Sequence, residues 1–187
     1  MKKSIYLSVL ASIVVALVSF TTASKLVSTK THIQFFSTTP AEDIASHNYK
    51  AVSTIDPESG EVVFSVPMQS FEFEKSLMQK HFNSKKFLET KEFPKAKMTG
   101  KITNLGEVSF EKDGTYTAKI QGELTIKGET NPMESSATVT VKGKSVEVDS
   151  TFPVTLADYG ITFSKGKPST NIANTVEVTV NAFYGAQ

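Results

Sequence analysis

Cysteine, arginine and tryptophan are all missing from this sequence, and each absence removes a class of function. Without cysteine there is no disulfide, no thiol nucleophile and no cysteine ligand for a metal, so burial of apolar surface must stabilise the fold. Without arginine the chain lacks the side chain that grips a carboxylate or phosphate with two parallel hydrogen bonds, which argues against an enzyme for anionic substrates. Without tryptophan a carbohydrate-binding sandwich would lack its usual stacking platform.

Groups that could perform catalysis or bind a metal are sparse. The three histidines, His32, His47 and His81, lack the His-x-x-x-His and Glu-x-x-His spacings of zinc sites. The acidic pairs Glu42–Asp43 and Glu72–Glu74 would meet the minimum for a glycosidase, but a chain this rich in charge carries such pairs as solvated surface. No serine lies in a Gly-x-Ser-x-Gly context. The sequence therefore predicts a protein that is not an enzyme and that needs no metal and no cofactor.

The first 23 residues have the layout of a signal peptide. Lys2 and Lys3 precede an apolar run from Ile5 to Phe20, and Ala23 ends a small-residue cleavage site. A retained membrane anchor is the alternative, because the run is almost long enough to span a bilayer. We therefore expect an exported protein with one domain, residues 24–187.

The charge of that domain is nearly balanced. Removal of Lys2 and Lys3 changes the formal net charge from +1 to −1. Without a net positive charge the domain has no electrostatic attraction for nucleic acid, so we do not expect a nucleic-acid partner.

Alternation of apolar and polar residues dominates the rest of the chain. Between residues 114 and 127, Ala118, Ile120 and Leu124 fall on one face of a strand, and polar residues fall on the other. Residues 144–156 and 175–184 show the same pattern. Shorter candidate strands cover residues 31–38, 49–56, 61–67, 95–103, 107–112 and 133–142.

About eight strands without alternating helices predict a mainly β fold with a single antiparallel sheet. Such a sheet either closes into a barrel or folds into a sandwich, and the length of its longest strands favours the barrel.

The stretch from residue 71 to 97 departs from this alternation and is rich in phenylalanine and lysine. Leu77, Met78 and Phe82, with His81 beside them, recur at the spacing of one helical face, which predicts a short helix around residues 74–83. For His81 a partly buried structural role is favoured over contact with a ligand. The helix suits the mouth or wall of an apolar cavity, because it is rich in Phe and Met.

Periodicity leaves the interior of an eight-stranded barrel undecided, since side chains can fill it or it can hold one small ligand. A small outer-membrane barrel also stays open, because its strands alternate as well.

Three segments together resemble one protein family. The run LMQKHFNSKKFLETKEFPKAKMTGKI at residues 77–102, GELTIKGET at 122–130 and ADYGI at 157–161 are similar to the YceI-like family of periplasmic polyisoprenoid-binding proteins. The resemblance implies a lipocalin-like antiparallel barrel with a helix packed beside it. It also implies an apolar tunnel for a polyisoprenoid chain, such as that of a quinone or polyprenyl carrier, and a location in the periplasm, with secretion as the alternative.

On this basis we expect a non-enzymatic binding protein whose partner is a long-chain polyisoprenoid or another amphiphilic lipid. A homodimer stays open. The candidate ligand-binding residues are Ile33, Phe35, Phe64, Phe71, Phe73, Leu77, Met78, His81, Phe82, Phe87, Met98, Ile120, Leu124 and Tyr159.

Overall fold

Strands make up most of the computed structural model, which describes residues 25–162 and 171–185. Ten strands and one α-helix follow the chain in that part: β1 Leu26–Thr38, β2 Asp43–Asn48, β3 Val52–Ile55, β4 Glu61–Pro67, β5 Phe71–Phe73, α1 Ser76–Phe82, β6 Lys95–Ile102, β7 Gly114–Ile126, β8 Glu129–Lys142, β9 Ser145–Thr155 and β10 Thr175–Tyr184. Three short 3-10 turns lie at Met68–Ser70, Leu105–Glu107 and Leu156–Tyr159.

Eight of the strands form a closed antiparallel barrel in the order β1-β3-β4-β6-β7-β8-β9-β10. The barrel closes where β10 returns to β1, from Ser28 opposite Tyr184 to Phe36 opposite Glu177. Closure pairs both outer edges of the sheet, which would otherwise be free to pair with another chain. The predicted fold class, a lipocalin-like barrel with one short helix, is therefore confirmed.

The two remaining strands carry the helix to the barrel. The second half of β1 pairs with β2, and β2 pairs in turn with β5, which leads into α1. Buried polar side chains hold this extension, since Ser46 Oγ donates to the carbonyl of Glu72 and Asn48 Nδ2 donates to the carbonyl of Pro67. The extension places α1 over one end of the barrel, which we call the upper end.

Some predicted elements differ from the structure. The predicted strand at 107–112 is wrong: the Ser109 hydroxyl accepts the N–H groups of Glu111 and Lys112, which turns the chain there. Strand β2 was not predicted, and the first predicted strand begins earlier, at Leu26. The helix is shorter than the predicted 74–83, because Glu74 and Lys75 precede its first turn.

The lower end of the barrel is filled by side chains. Val141, Val146 and Ala182 are buried there, and Tyr184 Oη lies 2.7 Å from Ser53 Oγ. Burial raises the pKa of Tyr184 to about 12, although the hydrogen bond with Ser53 opposes part of this shift. This end of the barrel is an ordinary packed core.

The outer surface of the barrel is polar. On β7, for example, Thr117, Lys119, Gln121 and Glu123 are exposed, and the residues between them point inward. Among residues 25–162 and 171–185, no helix is long and apolar enough to cross a bilayer. The predicted signal peptide, residues 1–23, lies outside the described residues.

Candidate ligand-binding cavity

The upper part of the barrel encloses a cavity of about 590 Å³. Its wall consists almost entirely of inward-facing apolar side chains from the barrel strands and α1. A volume between about 300 and 1,000 Å³ is typical of pockets that bind small molecules. The upper part therefore differs from the packed lower end.

Several wall residues face this space without being fully covered. Met98, Leu124, Phe152 and Val178 point into the barrel, yet all four remain only partly buried. A filled barrel would bury such residues completely, because protein interiors pack as densely as organic crystals. Their accessible surface is apolar surface that a ligand could cover.

A cluster of five phenylalanines lies where α1 meets the cavity. The ring of Phe82 contacts those of Phe35, Phe71, Phe73 and Phe87, with centroid separations of 5.0 to 6.1 Å. Three of these ring pairs are tilted and the pair Phe35–Phe82 is stacked, and contacts between rings at such separations add to the stability that burial alone provides. We call this group the phenylalanine cluster; it closes one side of the upper end.

Helix α1 turns only part of its predicted apolar face inward. Phe82 is buried, but Leu77 is 60% exposed and His81 is also exposed, although both border the cavity. The helix has seven residues, about two turns, and residues 77, 78, 81 and 82 spread over too wide an arc of its circumference to be buried equally. Leu77 thus borders the cavity as predicted but is not covered by it, and Leu77 and His81 form part of the rim.

Three polar side chains of this rim are joined to one another. Lys75 Nζ lies 2.8 Å from Glu42 Oε1, and Asn171 Nδ2 donates to Glu42 Oε2 at 3.3 Å. The hydrogen bond from Lys75 lowers the pKa of Glu42, with a further contribution from Asn171, and the same contact raises the pKa of Lys75. Glu42 thus joins the β1–β2 turn, the start of α1 and the segment before β10, with no net charge from the Glu42–Lys75 pair.

A profile of the YceI-like domain matches residues 15–183, which is most of the chain. The protein belongs to the YceI-like family.

A curated relative of this YceI-like protein is the UPF0312 protein of Pseudomonas fluorescens. The two are 28% identical over 122 residues, which cover 62% of this chain and 61% of the relative. The chain thus spans about three fifths of the length of the curated relative that it matches.

Two solved structures share the fold of this YceI-like protein. A polyisoprenoid-binding domain from Saccharophagus degradans, implicated in plant cell wall breakdown, superposes with a TM-score of 0.72 at 16% identity, covering 87% of this chain and 98% of that domain. BcnA of Burkholderia cenocepacia gives a TM-score of 0.67 at 16% identity, covering 82% of this chain and 95% of BcnA. At such low identity these likenesses show the fold alone.

All but one of the candidate binding residues of this YceI-like protein lie on the cavity wall. The exception is Tyr159, which is buried in the 3-10 turn after β9 but lies outside the lining. The others are Ile33, Phe35, Phe64, Phe71, Phe73, Leu77, Met78, His81, Phe82, Phe87, Met98, Ile120 and Leu124. Their role in binding remains a prediction, because their position shows only that a ligand in the cavity would touch them.

Other wall residues were missed. Phe152, Val154, Val176 and Val178 line the side of the cavity formed by β9 and β10. Their alternation with polar residues in two predicted strands would have identified them, since the apolar face of each strand points into the barrel.

Two of the three histidines lie away from this cavity. His32 and His47 hydrogen-bond to each other through Nε2 and Nδ1 at 3.0 Å, and neither lines the cavity. Among the residues that the structure describes, no group of three His, Cys, Asp or Glu side chains could hold a metal ion. The chemistry that the cavity offers is apolar contact.

Proposed function

We propose that this protein is a non-enzymatic carrier that holds a long apolar lipid, of the polyisoprenoid type, inside the upper part of its barrel. The observation that carries the proposal is the cavity of about 590 Å³ with an almost wholly apolar wall. Covering such surface is favourable by about 25 cal/mol per Å², without any charge or hydrogen bond. The similar fold of a domain described as polyisoprenoid-binding supports the same ligand class.

The polar outer face argues against the alternative of an outer-membrane barrel. Lys119 and Glu123 would face the hydrocarbon core of a bilayer, where membrane barrels place an apolar band. The accessible surface of Met98, Leu124 and Val178 argues against a barrel filled by its own side chains. A soluble barrel with a hollow upper part fits both observations.

The absence of enzymatic activity is part of this proposal. At the rim of the cavity, Glu42 and Lys75 neutralise each other. His81 is exposed and has no carboxylate partner in the described ion pairs. We therefore assign the cavity to binding.

We also propose that the protein acts in the periplasm, after removal of residues 1–23. N-terminal sequencing of the exported form should give a start close to Ser24. A retained Met1, recovered with the membrane fraction, would contradict this location.

The test of the binding function is native mass spectrometry of the exported protein, purified without detergent, followed by lipid extraction. We expect a one-to-one complex with a prenyl lipid, or stoichiometric uptake of such a lipid by protein that was stripped first. A protein that neither carries nor takes up a prenyl lipid would overturn the proposal.

A further inference from the structure

The pairing between β8 and β9 stops halfway along the barrel. These strands pair only from Ala137 opposite Ser150 to Lys142 opposite Ser145. Strand β8 nevertheless continues back to Glu129, paired with β7, and β9 continues to Thr155, paired with β10. Residues 129–136 and 151–155 therefore face each other without a described strand pairing. We call this region the lateral gap.

A proline lies on each side of the lateral gap. Pro132 belongs to the unpaired part of β8, and Pro153 to the unpaired part of β9. Because proline has no N–H group, it is found at sheet edges, with its nitrogen facing away from the ladder. Each proline removes a donor that β8 and β9 would need in order to pair, so the sequence keeps the gap open.

The cavity wall reaches the lateral gap. Ser135 on the β8 side and Phe152 on the β9 side both line the cavity, and both are only partly buried. Leu124, on the strand beside β8, also lines the cavity and is partly buried. An apolar chain in the cavity would thus lie next to this unpaired part of the barrel wall.

One short segment crosses the upper end of the gap. The 3-10 turn Leu156–Tyr159 follows β9, and Asn131 Nδ2 of β8 donates to the carbonyl of Asp158 at 2.7 Å. Lys127 Nζ adds a contact of 3.4 Å with the carbonyl of Gly160. These bonds lie at the surface, and Leu156 and Tyr159 of the turn are buried beneath them. The turn therefore covers the upper end of the gap.

From these observations we infer that the lateral gap between β8 and β9 is the route by which the lipid enters and leaves the cavity, with the turn Leu156–Tyr159 as its strap. The inference rests on the proposed lipid-binding function. It assigns a separate role to each side of the upper end: α1 and the phenylalanine cluster stay in place, and the strap moves.

Crosslinking tests the route, because the natural chain has no cysteine that could compete. Asn131→Cys with Asp158→Cys fixes the strap once a short bifunctional thiol reagent joins the two side chains. Thr140→Cys with Glu147→Cys is the matched control, since these residues face each other in the paired part of β8 and β9. Glu42→Cys with Lys75→Cys fixes the rim beside α1 instead.

Each protein is loaded with tritiated solanesol, a long-chain prenol, and then crosslinked, and transfer to phosphatidylcholine vesicles is timed. Compared with the same variant before crosslinking, the strap crosslink should slow transfer by at least about tenfold. The control crosslink and the rim crosslink should change it by less than about twofold.

Unchanged transfer after strap crosslinking would overturn the inference, as would slowing by the rim crosslink alone. Failure of the unmodified protein to load solanesol is a different result, because it would contradict the proposed function itself.

Discussion

At the scale of single residues, Phe82 explains why one irregular stretch contains so many aromatic side chains. Its ring contacts residues from β1, β5 and the segment after α1, and it also lines the cavity. One side chain therefore anchors the helix and forms part of the cavity wall. Leu77, at the other end of α1, is exposed and contributes little to anchoring the helix.

A charge introduced at position 82 tests whether lipid binding depends on the apolar wall of the cavity. Phe82→Glu should abolish lipid retention, because it places a carboxylate among apolar rings, where its desolvation is costly and no arginine can offset it. Gln79→Glu is the matched control, since it introduces the same charge on the same helix but away from the lining. Native mass spectrometry gives the bound lipid, and circular dichroism verifies the fold.

If Phe82→Glu fails to fold, Phe82→Ala replaces it. We expect Phe82→Ala to reduce the free energy of unfolding by about 3 kcal/mol, the low end of the range for a buried phenylalanine, since the ring already borders a cavity. It should also weaken lipid retention. Full retention of lipid by a folded Phe82 variant would contradict the assigned role.

His32, on the outside of the barrel, makes the stability of the fold depend on pH. Burial lowers the pKa of His32, as does the neighbouring His47, while the side chain of Asn181 opposes the shift. Asn181 in turn donates to Asp149, and the ring of Tyr49 stacks on His32 at 4.7 Å. The native state therefore favours the neutral imidazole.

Acid should weaken the fold through this group. Below its ordinary pKa of about 6.5 the unfolded chain binds a proton that native His32 does not, so stability falls as the pH drops from 6.5 through the lowered native pKa. Urea unfolding at several pH values should show a smaller loss for His32→Gln than for the natural protein. Equal pH dependence of the two proteins would exclude this role for His32.

At the scale of elements, a close approach of β6 and β7 depends on glycine. A Cβ on Gly122 would lie 2.2 Å from the carbonyl oxygen of Thr99 and 2.4 Å from the Cα of Gly100. These backbone atoms cannot move aside as a flexible side chain could. The two glycines face each other in the strand pairing, so the barrel wall is pinched at that level.

Gly122→Ala should therefore reduce the free energy of unfolding by more than about 2 kcal/mol, because the strands must separate to admit the methyl group. Gly106→Ala is the control, since a Cβ there meets no atom within 4 Å. Denaturant titration of both variants measures the difference. Similar stability of the two would show that β6 and β7 tolerate a wider spacing.

Most elements could be predicted from the sequence, and the exceptions have physical reasons. The apolar alternation around Ile120 is explicit, so β7 was found with nearly its full length. Strand β2 reads DIASHN, which alternates poorly, and it forms because the hydrogen bonds of Ser46 and Asn48 replace apolar contacts. The exposure of Leu77 depends on how α1 packs on the barrel, and the spacing of apolar residues along a helix does not predict that packing.

At the scale of the whole molecule, the barrel is filled at one end and hollow at the other. Alternation could not predict this difference, because Val141 at the filled end and Val178 at the cavity occupy equivalent inward positions in their strands. The difference arises from what lies opposite each residue across the barrel. The resemblance to the YceI-like family supplied the expectation of a tunnel.

A pair of identical substitutions measures this asymmetry. Val141→Ala should cost about 2 kcal/mol, because it leaves a void in a packed core, whereas Val178→Ala should cost less than about 1 kcal/mol, because its side chain already borders open space. Thermal unfolding of lipid-free protein compares the two. Equal costs would indicate that the upper part of the barrel is packed as well.

The central claim, that a lipid occupies the interior, is tested most directly by NMR of methionine methyl groups during titration with a prenyl lipid. Met68, Met78 and Met98 line the cavity, whereas Met133 is buried outside the lining and serves as an internal control. We predict large shifts for the three lining methyl groups, with saturation at one lipid per protein, and little change for Met133. Unchanged signals from all three lining methionines in the presence of bound lipid would contradict the claim.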